Sequence, residues 1–399
     1  MNESLKIAKE ELIERWLQAF DEIDDFAFFE SKTVKIKYAD SYRFDLKDYK
    51  NGRINKGGKL LDKKINDKSD YHEYGFDKKS FPTITRFRHT WNKIDWIGFY
   101  RKEKNLLEYI EFCVNSKVPS KFQRIIFENG KKISYQSLII NGGGSFRPDF
   151  SKSEILNYIV ENTSSFFLSI QKYEYKNDII TKGYGLANTP GIGEFTFNDI
   201  YKYDEEKRLT EITRYYQNWP SQIEYIRPSG KSLKVLMDEL SEMFVKYLLN
   251  VLLENNVKET LCYVVLNYQY CDNFWPSISL MTEEERQQAI DENTDYLFFS
   301  YDVYQHLSSK NENPKYLKEA FKEFTQKIEM NDNYEAGRKL LQKTARLLTK
   351  NKLQGLISVT DDFVAFPIDW TLTEDIGEIL IKCGAKQNKV KQWKELNWF

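Results

Sequence analysis

Residues 339–350, KLLQKTARLLTK, place Leu340, Leu341, Ala345, Leu347 and Leu348 at helical spacing, with Lys343, Arg346 and Lys350 on the opposite side. Gly355 breaks that pattern. Two short apolar runs follow, 356–359 and 363–366, and they flank an acidic pair, Asp361 and Asp362, where a turn would fall. Pro367 closes the second run because it has no N–H to give to a ladder. The spacing predicts a helix packed on an antiparallel pair. Helix followed by strands recurs at 5–38, 104–140, 154–186 and 231–270, with irregular spacing and no alignable residues, so it is not a sequence repeat.

Within those units, Leu5, Ala8, Leu12, Trp16 and Ala19 form one stripe of a first helix over 5–20. Residues 26–29 and 33–38 read as strands, and 104–115 as a helix. The clearest hairpin pairs 122–127 with 132–140 around Asn129-Gly130, a dipeptide that supplies the positive φ values of a tight two-residue turn. A capped helix over 154–162 precedes a second pair, 166–175 and 179–186. Arg227-Pro228-Ser229-Gly230 stops one pattern before a long apolar-faced helix, 231–255, and a strand, 260–270. Connections such as 128–131 are too short for parallel crossovers. These features predict an α+β fold of antiparallel sheets covered by helices, in two domains, 1–230 and 231–399.

Composition narrows the function classes. Lys plus Arg number 59 and Asp plus Glu 60, for a net charge of −1, so the chain lacks the basic excess of a dedicated nucleic-acid binder. The hydrophobic share of 41% supports real cores. No apolar run reaches the ~18–20 residues of a membrane span. The N-terminal stretch is an amphipathic helix rather than a signal peptide. Four cysteines, Cys113, Cys262, Cys271 and Cys383, stand far apart without a CxxC, which points to reduced thiols in a cytoplasmic protein without metal. The segment 46–79, with ten Lys/Arg against six Asp/Glu, reads as a mobile basic loop. Its Tyr49, Tyr71 and Tyr74 could stack on bases, but a solvated surface loop is the simpler reading.

Few residues carry catalytic spacing. His72 falls in the basic loop, His306 at the surface, and His89 among aromatics in RFRHTW, where packing explains it. The stretch 141–154, NGGGSFRPDFSKSE, runs from strand to helix but lacks the GK[ST] of a phosphate loop. The sharpest enzymatic set is Asp149, in Pro148-Asp149, with Glu174 and Lys176 of the EYK triplet. It resembles the core of the restriction-endonuclease-like nucleases, which implies two carboxylates on Mg²⁺ and a lysine that positions water. Period two puts Glu174 and Lys176 on one strand face, as that chemistry requires.

From residue 232 on, the strand TLCYVVLNYQY, Trp275 with its acidic sequel, and the helix–VTDDFVAFPIDW unit together resemble the immunity proteins of bacterial polymorphic-toxin systems, DUF4303-like families above all. The resemblance covers 232–399 and implies a cytoplasmic, cofactor-free binder that neutralises a cognate toxin. The first 230 residues have no counterpart in it. The acidic segment 282–295, with Glu283, Glu284, Glu285, Asp291, Glu292 and Asp295, would then face a basic toxin domain, because opposed potentials speed encounter. The expected function is thus a non-enzymatic immunity or defence protein, and the Mg²⁺-dependent nuclease is its alternative.

Overall fold

The computed structural model describes residues 3–39, 42–48, 60–64, 70–89, 93–140, 151–161, 166–270, 273–299, 304–310, 312–331, 333–369 and 375–399. The chain divides into two compact units, Met1–Glu224 and Tyr225–Phe399.

The first unit is a twelve-stranded meander in which every strand pairs antiparallel with the one before it. Two helices, α1 (Glu3–Ala19) and α2 (Asp25–Ser31), lead into β1 (Lys35–Ala39), β2 (Tyr71–Phe76), β3 (Pro82–Arg88), β4 (Ile94–Lys102), β5 (Leu106–Cys113), β6 (Pro119–Glu128) and β7 (Lys131–Ile140). Helix α3 (Lys152–Glu161) interrupts the series before β8 (Phe166–Lys176), β9 (Ile179–Thr189), β10 (Gly193–Tyr203), β11 (Leu209–Tyr216) and β12 (Gln222–Ile226). The predicted stripe of α1 is the buried one. It packs with Phe29 of α2 over Phe99, Ile110, Phe112, Phe122, Leu138, Leu168 and Ile170, one face of the sheet. On the opposite side of the pleat Tyr74, Tyr100, Leu107, Tyr109, Ile125 and Tyr135 form a second core with Phe44 and Leu46. Two-residue turns close the hairpins at Asn129-Gly130 (φ 50° and 78°) and Asn177-Asp178 (φ 50° and 66°).

Three expectations fail in this unit. Residues 104–115 are not helical, since β5 fills the span. Its apolar residues are buried on both faces, so alternation is hidden and their spacing mimics a helical stripe. Residues 26–29 are helical instead of extended, because Phe26 and Phe29 enter the core one turn apart and Phe29 stacks on Phe99 at 4.6 Å. The basic loop is partly a strand: Tyr71 and Tyr74 are 1% and 0% exposed in β2 and cannot stack on bases, while Tyr49 lies outside the described residues.

The second unit opens with α4 (Leu233–Glu254), capped by Ser232, and continues through β13 (Leu261–Gln269), β14 (Asn273–Thr282), α5 (Glu283–Asp291), β15 (Gln305–Leu307), α6 (Lys315–Asn331), α7 (Glu335–Lys350), β16 (Val359–Asp369), α8 (Ile376–Lys382) and α9 (Gln387–Glu395). Its sheet has the order β15-β14-β13-β16. The pair β13–β16 is parallel, against the all-antiparallel expectation. The crossover between them carries α5, α6 and α7, a length that the short hairpin connections did not foreshadow. Residues 356–366 do not form a hairpin. One strand runs through Asp361 and Asp362, and the register of β16 on β13 slips at that pair, from Leu261↔Val359 to Tyr263↔Val364. Pro367 sits inside β16, tolerated because β16 is an edge strand.

The segment 227–230 is fastened rather than open. Gln326 of α6 accepts the Ile226 N–H and donates to its carbonyl, and Glu323 accepts the Ser229 N–H. At the C-terminus Trp393 and Trp398 are 3% and 5% exposed and pack edge-on around Phe298, which pins the tail to the core.

Candidate functional site

Among the residues singled out for chemistry, Glu174 and Lys176 occupy alternate positions of β8 and share a face, as predicted. Both are exposed, and Lys176 is the last residue before the Asn177-Asp178 turn. Asp149 lies outside the described residues, as does the glycine run at 142–144. Ser151 caps α3, its Oγ accepting the Glu154 N–H while the Glu154 carboxylate accepts the Ser151 N–H at 2.7 Å. Gly183 and Gly185 belong to β9, where a Cβ would strike Gln171 and Phe197, so close packing explains them.

The histidines serve packing and local pairing. His72 is in β2 between the rings of Tyr74 and Phe87, not in a loop. His89 Nδ1 lies 3.0 Å from Asp70 at the surface. His306 Nδ1 lies 2.7 Å from Ser279 Oγ, which also accepts from Asn267 Nδ2. Ser279 is 1% exposed, so a substrate cannot reach its hydroxyl. Cys113, Cys262 and Cys383 are buried thiols, and Cys271 lies outside the described residues. Burial pushes the Cys262 thiol up to about 12, the opposite of an activated nucleophile.

The acidic segment is more informative. Helix α5 starts with a capping box: Thr282 Oγ1 accepts the Glu285 N–H, and the Glu285 carboxylate accepts the Thr282 N–H at 2.8 Å. Glu285 is thereby consumed by the fold, and it also accepts from Gln305. The remaining carboxylates, Glu283, Glu284, Asp291, Glu292 and Asp295, are exposed. Asp291 and Glu292 accept from Gln287 and Gln288 one turn back, and Asp295 from Asn397.

Arg286 is the one cation within 283–295. It turns inward. Its Nη1 reaches both oxygens of Asp362, at 3.0 and 3.1 Å, and its guanidinium lies 5.7 Å from the Tyr263 ring centre. Burial alone would raise the Asp362 carboxyl; the hydrogen bond and charge of Arg286, with Thr360 and Lys389, outweigh it and hold Asp362 below the usual carboxylate range. Arg286 serves Asp362 and lies 4.0 Å from Glu283 Oε1 with its other nitrogen, so the outer side of α5 stays acidic on balance.

No protein-family model matches this chain, and no curated protein is significantly similar to it.

A third cluster was not foreseen from the sequence. On the tyrosine-lined face of the sheet, segment 42–48 lies over β2–β6. Lys121 Nζ donates to Asp45 Oδ2 at 2.9 Å, Gln123 Nε2 to Asp45 Oδ1 at 2.8 Å and to Tyr135 OH at 3.0 Å. Tyr109 OH, in contact with Thr85 Oγ1, donates to Glu111 Oε2 at 2.6 Å. Asp45 is 76 and 78 residues from Lys121 and Gln123, so only folding brings that part of the cluster together.

Proposed function

We propose that this protein is a non-enzymatic binding protein of bacterial immunity or defence type, which neutralises a cognate toxin by direct contact. The observation that supports it is the outward acidic side of α5, held in place by its capping box and offset only at Glu283 by Arg286, which turns inward to Asp362. A fixed patch of one sign raises the encounter rate with a partner of the other sign and disfavours partners of like charge. The partner it fits is a basic protein domain. The nuclease alternative gains no support from Glu174 and Lys176, which are exposed at a hairpin end.

The test is a comparison of tagged wild-type chain with the variant Glu283→Gln, Glu284→Gln, Asp291→Asn, Glu292→Gln, each isolated from the native host and analysed by quantitative mass spectrometry. Glu285 is kept because it caps the helix. The expected result is a basic protein recovered with the wild type, depleted about tenfold or more with the variant and released by salt. Equal recovery of that protein by the variant would count against α5 as the contact. Recovery of an acidic protein would count against the charge argument altogether.

A further inference from the structure

Strand β1 is one edge of the twelve-stranded sheet, so one side of its backbone has no neighbouring strand. The excursion between β1 and β2 touches that edge at a single place. Leu61 pairs with Tyr38 in both directions: the Tyr38 N–H donates to the Leu61 carbonyl at 2.9 Å, and the Leu61 N–H donates to the Tyr38 carbonyl at 2.8 Å. The next residue, Asp62, sets its carboxylate 2.6 Å from Lys37 Nζ and 3.7 Å from Lys35 Nζ. The contact then stops. The Lys64 ammonium lies 5.9 Å from the ring centre of Tyr71, a residue beyond Ala39 in the ladder, so the chain has turned back from the Lys35 end of β1.

Strand geometry says what the open part of the edge accepts. Every second residue of an edge strand directs its N–H and C=O outward. Tyr38 does so, hence Ile36 does too, and no described residue meets the Ile36 backbone on that side. Ile36 and Val34 are 41% and 56% exposed. Side chains alternate as well, so Lys35 and Lys37 share one face while Ile36 and Tyr38 share the other. A strand continued from the Leu61–Tyr38 pair would set residue 62 opposite Lys37, residue 63 opposite Ile36 and residue 64 opposite Lys35. Those places call for an acid, an apolar residue and an acid. The chain offers Asp62, then Lys63 and Lys64. Lys63 would lay a charge against Ile36 and Lys64 would oppose Lys35, so the segment leaves the edge after Asp62. A second copy fits no better, because a two-fold β1–β1 pair sets the lysines of one copy against those of the other.

We propose that the β1 edge is a strand-addition site for an extended protein segment that alternates apolar and acidic residues, docked antiparallel along Tyr38, Lys37, Ile36 and Lys35. Leu61-Asp62 occupies the first half of that site in the free chain, and the incoming segment displaces it. The partner's main chain makes the bonds that Ile36 lacks. Its acids meet Lys35 and Lys37 on one face, and its apolar residues cover Ile36 on the other. The site belongs to the first unit and does not rest on the acidic side of α5.

Amide hydrogen exchange of the full chain, resolved to single residues by fragmentation in the mass spectrometer, tests this with a synthetic peptide of sequence LDVELD. In the free protein the Tyr38 N–H should be protected and the Ile36 N–H should exchange readily. Saturating peptide should slow exchange at Ile36 about tenfold or more, and the effect should shrink with salt and in Lys35→Gln/Lys37→Gln. A peptide of the same composition in the order LLVDDE should leave Ile36 unchanged. Within the chain, Lys63→Val/Lys64→Glu should protect Ile36 with no peptide present. No slowing by LDVELD, or equal slowing by LLVDDE, overturns the proposal. So does a Lys63→Val/Lys64→Glu chain in which Ile36 stays as open as in the wild type. Protection of Ile36 that grows with protein concentration alone would place a second copy on the edge and overturn it too.

Discussion

Replacing Trp16 by alanine is expected to destabilise the first unit by about 3–5 kcal/mol, the range for removing a buried tryptophan. Trp16 is 0% exposed, and its indole N–H donates to the Pro119 carbonyl at 2.8 Å, which ties α1 to the start of β6. It also meets Phe20 edge-on at 5.0 Å. The truncation leaves a cavity between helix and sheet and an unpaired carbonyl, two costs that add. The same variant tests the two-domain reading. The core around Trp16 is separate from that around α4 and β13, so urea unfolding followed by hydrogen exchange should show the first unit weakened and peptides of β13 and β16 unchanged. Equal weakening of both would mean one cooperative unit.

Asp362→Ala should cost about 3 kcal/mol, toward the low end for breaking a buried ion pair, because the Arg286 and Asp362 side chains retain 14% and 16% exposure. The loss comes chiefly from Arg286, left beside Tyr263 and Cys262 without its carboxylate. The double variant Arg286→Met/Asp362→Ala should be less damaged than the sum of the single changes, as a denaturation cycle would read. Acid dependence gives a second check. Asp362 is held below its unfolded value, so the pair contributes fully above the ordinary carboxylate range and is lost as pH falls through the lowered value. Asp362→Asn should flatten stability between about pH 5 and 2. An unchanged acid slope would show that Arg286 gains little from this partner.

What the sequence reveals here depends on how locally each feature is encoded. The stripe of α1, the Asn129-Gly130 turn, the capped start of α3 and the long α4 are set by residues within a few positions of one another, and all appear where periodicity and turn chemistry place them. Strand β5 escapes because both its faces are buried, which erases the alternation that marks a strand. Helix α2 escapes because seven residues rich in phenylalanine fit either period. The acidic pair Asp361-Asp362 looks like a turn until the parallel partner β13 is known, and that pairing spans nearly 100 positions. Candidate sites divide the same way. The carboxylates of α5 are legible as a run, but the inward turn of Arg286 depends on Asp362, 76 residues away. The contact of Lys121 with Asp45 spans another 76, so no local pattern reveals it.

The central claim is that α5 meets a basic protein, and a hydrogen-exchange footprint tests it most directly. The protein recovered from the host would be purified and mixed with the full chain, and exchange compared with and without it. The account predicts added protection over 283–295, lost when the four outer carboxylates of the variant are neutralised. Protection confined to the tyrosine face of the first unit or to the 174–182 hairpin, with 283–295 unchanged, would contradict it.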